Sequence, residues 1–553
     1  MFFRQKRSGN RVYLQVVENR WQDGRSKQRV IATLGRLDQL QETGQLEGLL
    51  RSGAKFCDSV LLLGAHRRGE TIEMRARSIG PAMIFERLWK ETGCQEVIGG
   101  LLEERKFEFP VERALFLTVL HRLFISGSDR AAEKWKESLE IEGIDRLQLH
   151  HLYRAMAWLG ELLPEDRQAG ATPFSPRSTK DLVEEGLFGH RRDLFSELDL
   201  VFYDTTSIYF EGQGGETLGE NGHSKDHRPD LKQMIVAAVL DGEGRPLCCE
   251  LWPGNTTDVT TLIPIVDRLR SRFGIRRICI VADRGMISKQ TIEELESPGR
   301  GWQYILGARM RSRKEVRQEV LSRGGRFREV HSPRLKRKDP SPLKVKQVIV
   351  EDRRYVVCLN EEEARKDAHD REAIVASLRE QLKRGDKSLV GNRGFRKYLK
   401  QAKSKFEIDE KKIEQESRYD GKWVLRTNTD LSAAEVALKY KQLWMVEHVF
   451  RSAKSLLETR PIWHKRDETI RGHVFCSFLA LVLRKELEDR LADQGQKLEW
   501  EDVIRDLVNL QYAEVEQDGK RFLLRSESQG TCGSVFAAAG VALPPTVQQI
   551  EAP

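Results

Sequence analysis

The sequence has little cysteine and no long apolar run. Eight cysteines are spread over 553 residues, and no two have the CxxC spacing of a zinc or redox motif. We therefore expect a reduced, cytosolic protein without a zinc site. The longest apolar run, residues 474–483, is too short to span a bilayer and predicts a buried helix. Because the first residues turn polar at once, we expect no signal peptide.

Net charge is also small for a chain of this length. The 93 Lys and Arg residues exceed the 84 Asp and Glu residues by nine, which is a modest indication of an anionic partner and equally fits a solvated basic surface. The excess is concentrated, since residues 311–350 hold 13 Lys or Arg against 4 Asp or Glu. This basic stretch predicts either a phosphate track or a solvated surface.

The periodicity of the apolar residues changes along the chain. Residues 11–35 predict a β-hairpin with Asp23 and Gly24 in its turn. Residues 81–164 have helical periodicity. Beyond them strands alternate with helices, and Asp258 is the predicted N-cap of one amphipathic helix. The length and these changes of pattern predict several domains.

Two apolar strands are each predicted to end on a carboxylate. Residues 200–210, LVFYDTTSIYF, carry Asp204, and residues 275–285, IRRICIVADRG, carry Asp283. Open α/β sheets bind ligands beyond the carboxyl ends of their strands, so both acids are expected at one edge of a sheet. Taken alone, Asp204 also fits the start of a turn or a pair with a buried Arg.

A third acid, Glu447, lies on a long helix predicted over residues 431–457. A solvated helix face has the same pattern, but Glu447 is flanked by Trp444 and Phe450 in the part expected to pack on the sheet. Five side chains are spaced by 3, 4, 4 and 3 residues and so share one face: Tyr440, Leu443, Glu447, Arg451 and Lys454.

Three carboxylates gathered in this way predict phosphodiester chemistry. Two divalent cations about 4 Å apart can activate an attacking oxygen and stabilise the leaving oxygen. Asp204 would bridge the two ions, while Asp283 and Glu447 would each hold one. Without metal such a cluster is costly, because like charges raise one another's pKa.

The order Asp204, Asp283, Glu447 resembles that of the DDE transposases of bacterial insertion sequences, in the group with the YREK signature. That signature is Tyr, two residues, Arg, three residues, Glu, six residues and Lys. Tyr440, Glu447 and Lys454 fit every spacing. Three further segments are typical of one subgroup of this family: GHSKDHRPDLKQ at residues 222–233, VADRGMIS around Asp283 and RPIWHKRDETIRGH at residues 460–473.

One signature position departs from the pattern. Leu443 stands where the signature has Arg, so the contact of that Arg is missing here. Arg451, on the same predicted face, is the candidate replacement.

The resemblance implies an α/β fold with a ribonuclease-H-like catalytic core that is interrupted by a mainly β insertion and preceded by a β-hairpin module and a helical domain. The implied domains are residues 1–75, β-rich; 76–175, helical and DNA-end-binding; 190–310, first part of the core; 311–427, insertion; 428–492, second part of the core with the Glu helix; and 493–553, a C-terminal region.

The resemblance also implies the activity. The protein would cleave the ends of its insertion sequence and join the 3′ hydroxyl to target DNA with two Mg²⁺ ions, for which Mn²⁺ can substitute. Its partners would be the terminal repeats, target DNA and a second copy in a homodimer on paired ends, in the bacterial cytosol or nucleoid. Two alternatives stay open: a standalone nuclease on the same core, and an inactive DNA-binding relative.

The expected DNA contacts are cationic or aromatic. Phosphate contact is the functional interpretation of the cations in residues 222–233, although a solvated loop fits almost as well. Trp302, Trp423 and His473 are expected to pack in the core. The predicted DNA-binding residues are Lys225, Arg228, Lys232, Arg284, Tyr440, Arg451 and Lys454, of which Arg451 and Lys454 would hold the scissile phosphate and Tyr440 would position the strand.

Overall fold

The computed structural model describes most of the chain. The described residues are 2–22, 25–46, 48–49, 74–169, 171, 175–191, 200–275, 278–297, 302–330, 343–384, 397–402, 405–517 and 520–550. They form two compact units. Unit 1 holds Met1–Ala76, Tyr512–Arg525 and Pro545–Pro553, and unit 2 holds Arg77–Gln511 and Ser526–Pro544.

The described strands and helices have the following bounds. The strands are β1 Phe2–Ser8, β2 Arg11–Gln22, β3 Arg25–Arg36, β4 Met74–Ser78, β5 Leu200–Tyr209, β6 Gln233–Leu240, β7 Pro246–Pro253, β8 Cys279–Ala282, β9 Gln303–Ala308, β10 Arg328–Val330, β11 Leu343–Val350, β12 Arg353–Leu359, β13 Leu399–Ala402, β14 Lys405–Ile408, β15 Lys422–Thr427, β16 Gln511–Gln517, β17 Lys520–Arg525 and β18 Val547–Ile550. The α-helices are α1 Leu37–Glu42, α2 Gly80–Glu91, α3 Cys94–Leu102, α4 Val111–Phe124, α5 Asp129–Trp135, α6 Leu149–Gly160, α7 Thr179–Arg191, α8 Asp258–Phe273, α9 Lys289–Leu295, α10 Glu361–Lys383, α11 Glu410–Ser417, α12 Ala433–Lys441, α13 Trp444–Arg451, α14 Asp467–Asp493, α15 Trp500–Asn509 and α16 Cys532–Ala539.

Unit 1 is built on antiparallel sheets. β2 and β3 pair as the predicted hairpin, and β1 adds a third strand on the other side of β2. The predicted turn residues Asp23 and Gly24 lie outside the described residues. A second sheet has the order β18-β17-β16-β4, so β4 shares a sheet with three strands from residues 511–550.

The predicted helical region, residues 81–164, is helical in unit 2 and packs around α14. The apolar run at residues 474–483 lies inside α14 and is buried along its length, as the sequence predicts. α14 and α6 touch through glycines, because a Cβ at Gly472 or Gly160 would collide with the backbone of the facing helix. No helix in the described ranges is both long enough and apolar enough to cross a bilayer.

A nine-stranded sheet forms the centre of unit 2, in the order β10-β11-β12-β15-β9-β8-β5-β6-β7. β8 pairs in parallel with both β5 and β9, and the remaining pairs are antiparallel. The middle strands are almost wholly apolar because both faces are covered. The core on one face includes side chains of α8, and the core on the other includes side chains of α12 and α13.

Strands from residues 311–427 belong to this same sheet. β15 pairs with β9, and β12, β11 and β10 continue the sheet outward. The basic stretch at residues 311–350 therefore lies partly at one end of the nine-stranded sheet, while its residues 331–342 fall outside the described residues.

Candidate active site

The parallel pairing of β5 with β8 brings Asp204 next to Asp283. The ladder ends with Tyr203 opposite Ala282, and each acid is the next residue of its strand or its extension. Parallel strands in register place successive residues side by side. The two acids that the sequence predicts at one edge are therefore neighbours in the structure.

Asp204 is not at the end of its strand, and that prediction was wrong. β5 continues to Tyr209 because it pairs with β6 from Phe202 onward to its last residue. Only the parallel ladder with β8 stops at Asp204. The alternative of a turn beginning at Asp204 is excluded by the same pairing, and the nearby cation that acts on the Asp204 carboxylate is Lys225, not an Arg.

The Asp204 carboxyl lies in an unfavourable environment for a charge. Burial raises its pKa to about 6, and the neighbouring charges of Asp283 and Asp258 act in the same direction. Lys225 and the backbone N–H of Thr205, which donates to Oδ1 at 2.7 Å, act against this rise. A cation bound beside these acids would relieve the repulsion.

Asp283 is exposed and is held by Tyr440. The Tyr440 hydroxyl donates to Asp283 Oδ1 at 2.8 Å, and burial together with this carboxylate raises the pKa of Tyr440. Gly307 on β9 leaves the room for this contact, since a Cβ there would collide with the Tyr440 hydroxyl. Sequence analysis did not single out Gly307, because a lone glycine in a strand has many explanations.

Glu447 lies on the exposed side of α13. The helix packs across β5 and β6 through its buried residues Val446 and Phe450, which places it against the strand of Asp204. Among the described residues, which include all three acids, the carboxylate oxygens of Asp204, Asp283 and Glu447 do not all lie within 4.8 Å of one another.

The single helix predicted over residues 431–457 is interrupted. α12 ends at Lys441 and α13 begins at Trp444, and the intervening turn is tightened by bonds from the N–H of Met445 to Gln442 O and of Val446 to Leu443 O. A π-helical turn, Ser452–Leu456, follows α13. The one-face argument from spacing therefore fails, because it assumed a regular α-helix. Leu443, at this break, packs against the apolar core.

Lys454 is bound to an acid that the sequence did not indicate. Its Nζ donates to Asp226 Oδ1 at 2.7 Å, and Arg460 Nη1 lies 3.1 Å from the same oxygen. The Asp226 side chain is 6% exposed, and its Oδ2 is buried without a hydrogen-bond partner. Burial lowers the pKa of Lys454, against the effect of Asp226.

Lys225, the neighbour of Asp226, reaches in the other direction. Its Nζ donates to Thr205 O at 2.7 Å and Oγ1 at 2.9 Å, and lies 3.1 Å from Asp258 Oδ2. The Thr205 hydroxyl in turn donates to Asp258 Oδ1 at 2.7 Å. The loop of residues 222–232 thus connects the strand of Asp204 with the segment that follows Glu447.

Asp258 is not the N-cap of α8, which corrects the sequence-based assignment. Thr257 is the N-cap residue and its side chain makes no capping bond, while Asp258 is in the first turn. The Asp258 carboxylate instead accepts from Thr205 and pairs with Lys225. An Asp at the start of a helix can either cap the helix or take part in a site, so the sequence alone could not distinguish these two roles.

The other predicted DNA-binding residues are less constrained. Arg284 and Arg451 are exposed. Arg228 is paired with Asp230 at 2.8 Å at the surface, and Lys232 is partly buried. Trp302 and His473 are buried and Trp423 packs against a core cluster, so all three pack as expected.

A second group of potential ligands lies elsewhere in unit 2. One ligand atom each of Asp129, His464 and His473 falls within 4.8 Å of the others, and among the described residues this is the only such group. The guanidinium of Arg122 lies 3.0 Å from His473 Nδ1 and 3.7 Å from Asp129. Because a cation already occupies this position, the group is a buried hydrogen-bond cluster, and burial with Arg122 holds the pKa of His473 well below its usual range.

The chain is similar to transposases by two family models. Residues 196–483, more than half of the chain, match the transposase DDE domain, and residues 3–65 match the N-terminal domain of IS1634 family transposases. No curated protein matches the chain. One similar solved structure is the piggyBac transposase in a synaptic complex with hairpin DNA, at 10% identity and a TM-score of 0.37, covering 77% of this chain and 79% of that chain. That likeness is too low to carry an argument.

The predicted site residues lie within the first of these matches. Asp204, Asp283 and Glu447, together with Tyr440 and Lys454, all lie within the residues that match the DDE domain. The chain therefore belongs to the transposase DDE domain family and is a transposase of the bacterial insertion-sequence type.

Proposed function

We propose that this transposase cleaves the ends of its own element and joins the exposed 3′ hydroxyl to target DNA at one site, formed by Asp204, Asp283 and Glu447. The observation that carries the proposal is the pair of acids at the end of the β5–β8 ladder, with Tyr440 bound to one and Lys225 acting on the other. Hydrolysis and joining differ only in whether water or a hydroxyl attacks, so one site can serve both.

The donor set fits hard divalent cations. Carboxylate oxygens are the ligands that Mg²⁺ prefers, and the raised pKa of Asp204 marks a crowding of like charge that a cation would relieve. Asp204, Asp283 and Glu447 would hold two Mg²⁺ ions, or Mn²⁺ in their place. When bound, the ions would supply charge stabilisation to the attacking and leaving oxygens of the phosphodiester.

The chain's own side chains would orient the reactants. The Tyr440 hydroxyl fixes the direction of the Asp283 carboxylate and would position the DNA strand beside it. Asp226 holds the Lys454 ammonium in place, so that its remaining N–H groups can donate to the scissile phosphate. Lys225, fixed between Thr205 and Asp258, partly offsets the negative charge near Asp204.

Exposed cations around these residues would hold the DNA backbone. Arg228, Arg284 and Arg451 are at the surface, and Lys232 is partly buried in the loop of residues 222–232. Phosphate contacts fix register and supply most of the affinity. With an apolar Leu443 in the signature's Arg position, the exposed Arg451 would make the phosphate contact instead.

We further propose the domain roles implied by the family resemblance. Residues 311–427 would be the insertion within the core, and residues 76–175 would bind the element ends. The active form would be a homodimer on paired ends, acting in the cytosol or nucleoid, where the DNA lies. The alternative is a standalone nuclease on the same core. It would cut DNA without forming the joined product that a transposase makes.

Alanine variants of the three acids test the proposal. Asp204→Ala, Asp283→Ala and Glu447→Ala should each reduce cleavage of element ends in Mg²⁺ at least about 10³-fold, since each removes a metal ligand of the chemical step. Binding of the same ends, measured by gel shift with Ca²⁺, should change little because affinity comes mainly from phosphate contacts. Full cleavage by any one variant would remove that residue from the site. Asp493→Ala is a matched control, because that carboxylate is exposed and lies outside the residues that match the DDE domain.

A further inference from the structure

The turn that follows β8 carries Asp283, one of the three site acids. β8 ends at Ala282, and residues 284–286 form one 3₁₀ turn. Asp283 is at the N-cap position of this turn, where an Asp side chain usually accepts a bond from a backbone N–H of the turn. Here it makes no such bond. The carboxylate is therefore left for other partners, and the backbone of the turn sets the direction in which it points.

This turn is anchored in the core at its two ends. Ala282 and Met286 are buried in the core cluster on the α8 face of the sheet. Between them Asp283 and Arg284 are exposed and Gly285 is half-buried. Because glycine has more backbone freedom than other residues, a further contact is needed to fix the middle of the turn.

Arg309 supplies this contact from the neighbouring strand. It follows β9 directly, and its guanidinium donates from Nε to Arg284 O at 3.0 Å and from Nη2 to Gly285 O at 3.2 Å. One rigid, planar group thus bridges two successive carbonyls and orients both peptide groups. A lysine ammonium on its flexible stem cannot reproduce this geometry.

Strand register explains why Arg309 reaches this turn. β8 and β9 pair in parallel, and Ala282 opposite Leu306 is the last pair of the ladder. The same register, continued beyond the ladder, places Asp283 next to Gly307 and Gly285 next to Arg309. Side-chain hydrogen bonds from Arg309 therefore hold the two segments together where the main-chain ladder has stopped.

The two bonds contribute little to the stability of the fold. Arg309 is exposed, as is Arg284, and water can replace a hydrogen bond to a carbonyl oxygen at the surface at little cost. Fixing a long side chain also costs conformational entropy. The contact is therefore better explained by the position that it gives the turn than by stabilisation of the protein.

We propose that Arg309 is a positioning residue of the metal site, which acts through the backbone of residues 284–286 on the Asp283 carboxylate. The inference rests on the proposed function, which makes Asp283 a ligand of a divalent cation. Tyr440 holds the carboxylate by its oxygen, and Arg309 holds the backbone that carries it. Loss of a group that orients a metal ligand typically weakens metal binding by about 10- to 100-fold.

Binding of Mn²⁺ tests this role without any reaction. Full-length protein without DNA is titrated with Mn²⁺, and the free ion is measured by EPR. Arg309→Lys keeps the charge but cannot bridge the two carbonyls, so the affinity for Mn²⁺ should fall about 10-fold. Arg353→Lys is the matched control, because Arg353 is also exposed and pairs with Glu315 at 3.1 Å; this substitution should leave the affinity unchanged.

The Asp283→Ala background shows whether Arg309 acts through this acid. If it does, Arg309→Lys should have no further effect on Mn²⁺ binding there. Urea unfolding in EDTA should give Arg309→Lys the same midpoint as wild type. An unchanged Mn²⁺ affinity of Arg309→Lys, an equal loss in Arg353→Lys, or the full 10-fold loss in the Asp283→Ala background would overturn the assignment. A lower urea midpoint together with weaker binding would show a structural role instead.

The joining reaction separates this inference from the proposed function. The Mg²⁺ concentration that gives the half-maximal joining rate should rise about 10-fold in Arg309→Lys, with a rate near that of wild type at saturating Mg²⁺. If wild type joins DNA ends and Arg309→Lys binds Mn²⁺ as tightly as wild type, the positioning role is wrong and the enzyme assignment stands. If Arg309→Lys weakens Mn²⁺ binding through Asp283 but wild type joins no ends, the positioning role stands and the proposed reaction is wrong.

Discussion

Replacement of Asp204 by Asn should stabilise the metal-free protein. Burial and the charges of Asp283 and Asp258 raise the pKa of Asp204 to about 6, against about 3.9 for an unperturbed Asp, and this difference corresponds to about 3 kcal/mol of unfavourable interaction of the charged form. The figure is an upper bound, since the side chain is only partly buried and solvent screens part of the repulsion. Asn has nearly the same shape and no charge, so the variant avoids this cost.

The pH dependence has a definite sign. Because the pKa of Asp204 is higher in the folded protein than in the unfolded chain, the folded state binds the proton more readily between these values. The contribution of Asp204 to the free energy of unfolding of the wild type is therefore fully present below about pH 4 and is lost as the pH rises through about 6. The advantage of Asp204→Asn should be at most about 3 kcal/mol at pH 7.5 and should fall to at most about 1.5 kcal/mol at pH 5.

Urea unfolding in EDTA, followed by tryptophan fluorescence at pH 7.5 and pH 5, measures this difference. Asp230→Asn is the control, since Asp230 is an exposed acid whose pKa is lowered by its hydrogen bond with Arg228; it should not stabilise the protein. Addition of Mg²⁺ should stabilise wild type and leave Asp204→Asn nearly unchanged, because the carboxylate that would hold the ion is missing. If Asp204→Asn is no more stable than wild type at pH 7.5, or if its advantage is the same at pH 5, the crowding of charge at this site is not real.

Two further predictions concern positioning. Asp226→Asn should lower the rate of end joining by about 100-fold, because Lys454 and Arg460 lose their shared counter-charge. A displacement of the Lys454 ammonium by about 1 Å has an effect of this size. An unchanged single-turnover rate would show that Lys454 is held in another way. Gly307→Ala should lower the rate of end joining about 10-fold, since the new methyl group displaces the Tyr440 hydroxyl from Asp283. A 10-fold loss corresponds to an interaction of about 1.4 kcal/mol. In a Tyr440→Phe background the glycine substitution should cost less, and equal costs in both backgrounds would refute this link.

Much of the core could be predicted from sequence because it rests on local patterns. The apolar runs around Asp204 and Asp283 predict two strands with their acids at one edge of a sheet, and the parallel pairing of these strands places the acids side by side. The helical region and the buried run at residues 474–483 were predicted correctly for the same reason, since the periodicity and length of an apolar run depend on which of its residues are buried.

The remaining features depend on contacts that no local pattern records. The break between α12 and α13 exchanges a few i to i+4 bonds for i to i+3 bonds without a proline or glycine, so periodicity cannot reveal it. The pair of Lys454 with Asp226 joins residues far apart in sequence, within a loop where several charged residues looked equivalent. The extension of β5 beyond Asp204 follows from its pairing with β6, which overrides the tendency of Asp to end a strand.

Joining of a pre-nicked DNA end tests the central claim most directly. Purified protein with Mg²⁺ is given an element end that carries a 3′ hydroxyl, together with unrelated plasmid DNA. We predict a joined product with wild type, none with Asp204→Ala, and none when the end carries a 3′ dideoxy nucleotide, because the attacking oxygen is then absent. Cleavage of intact ends without any joined product, under conditions in which paired-end complexes form, would contradict a transposase mechanism at this site and favour a nuclease.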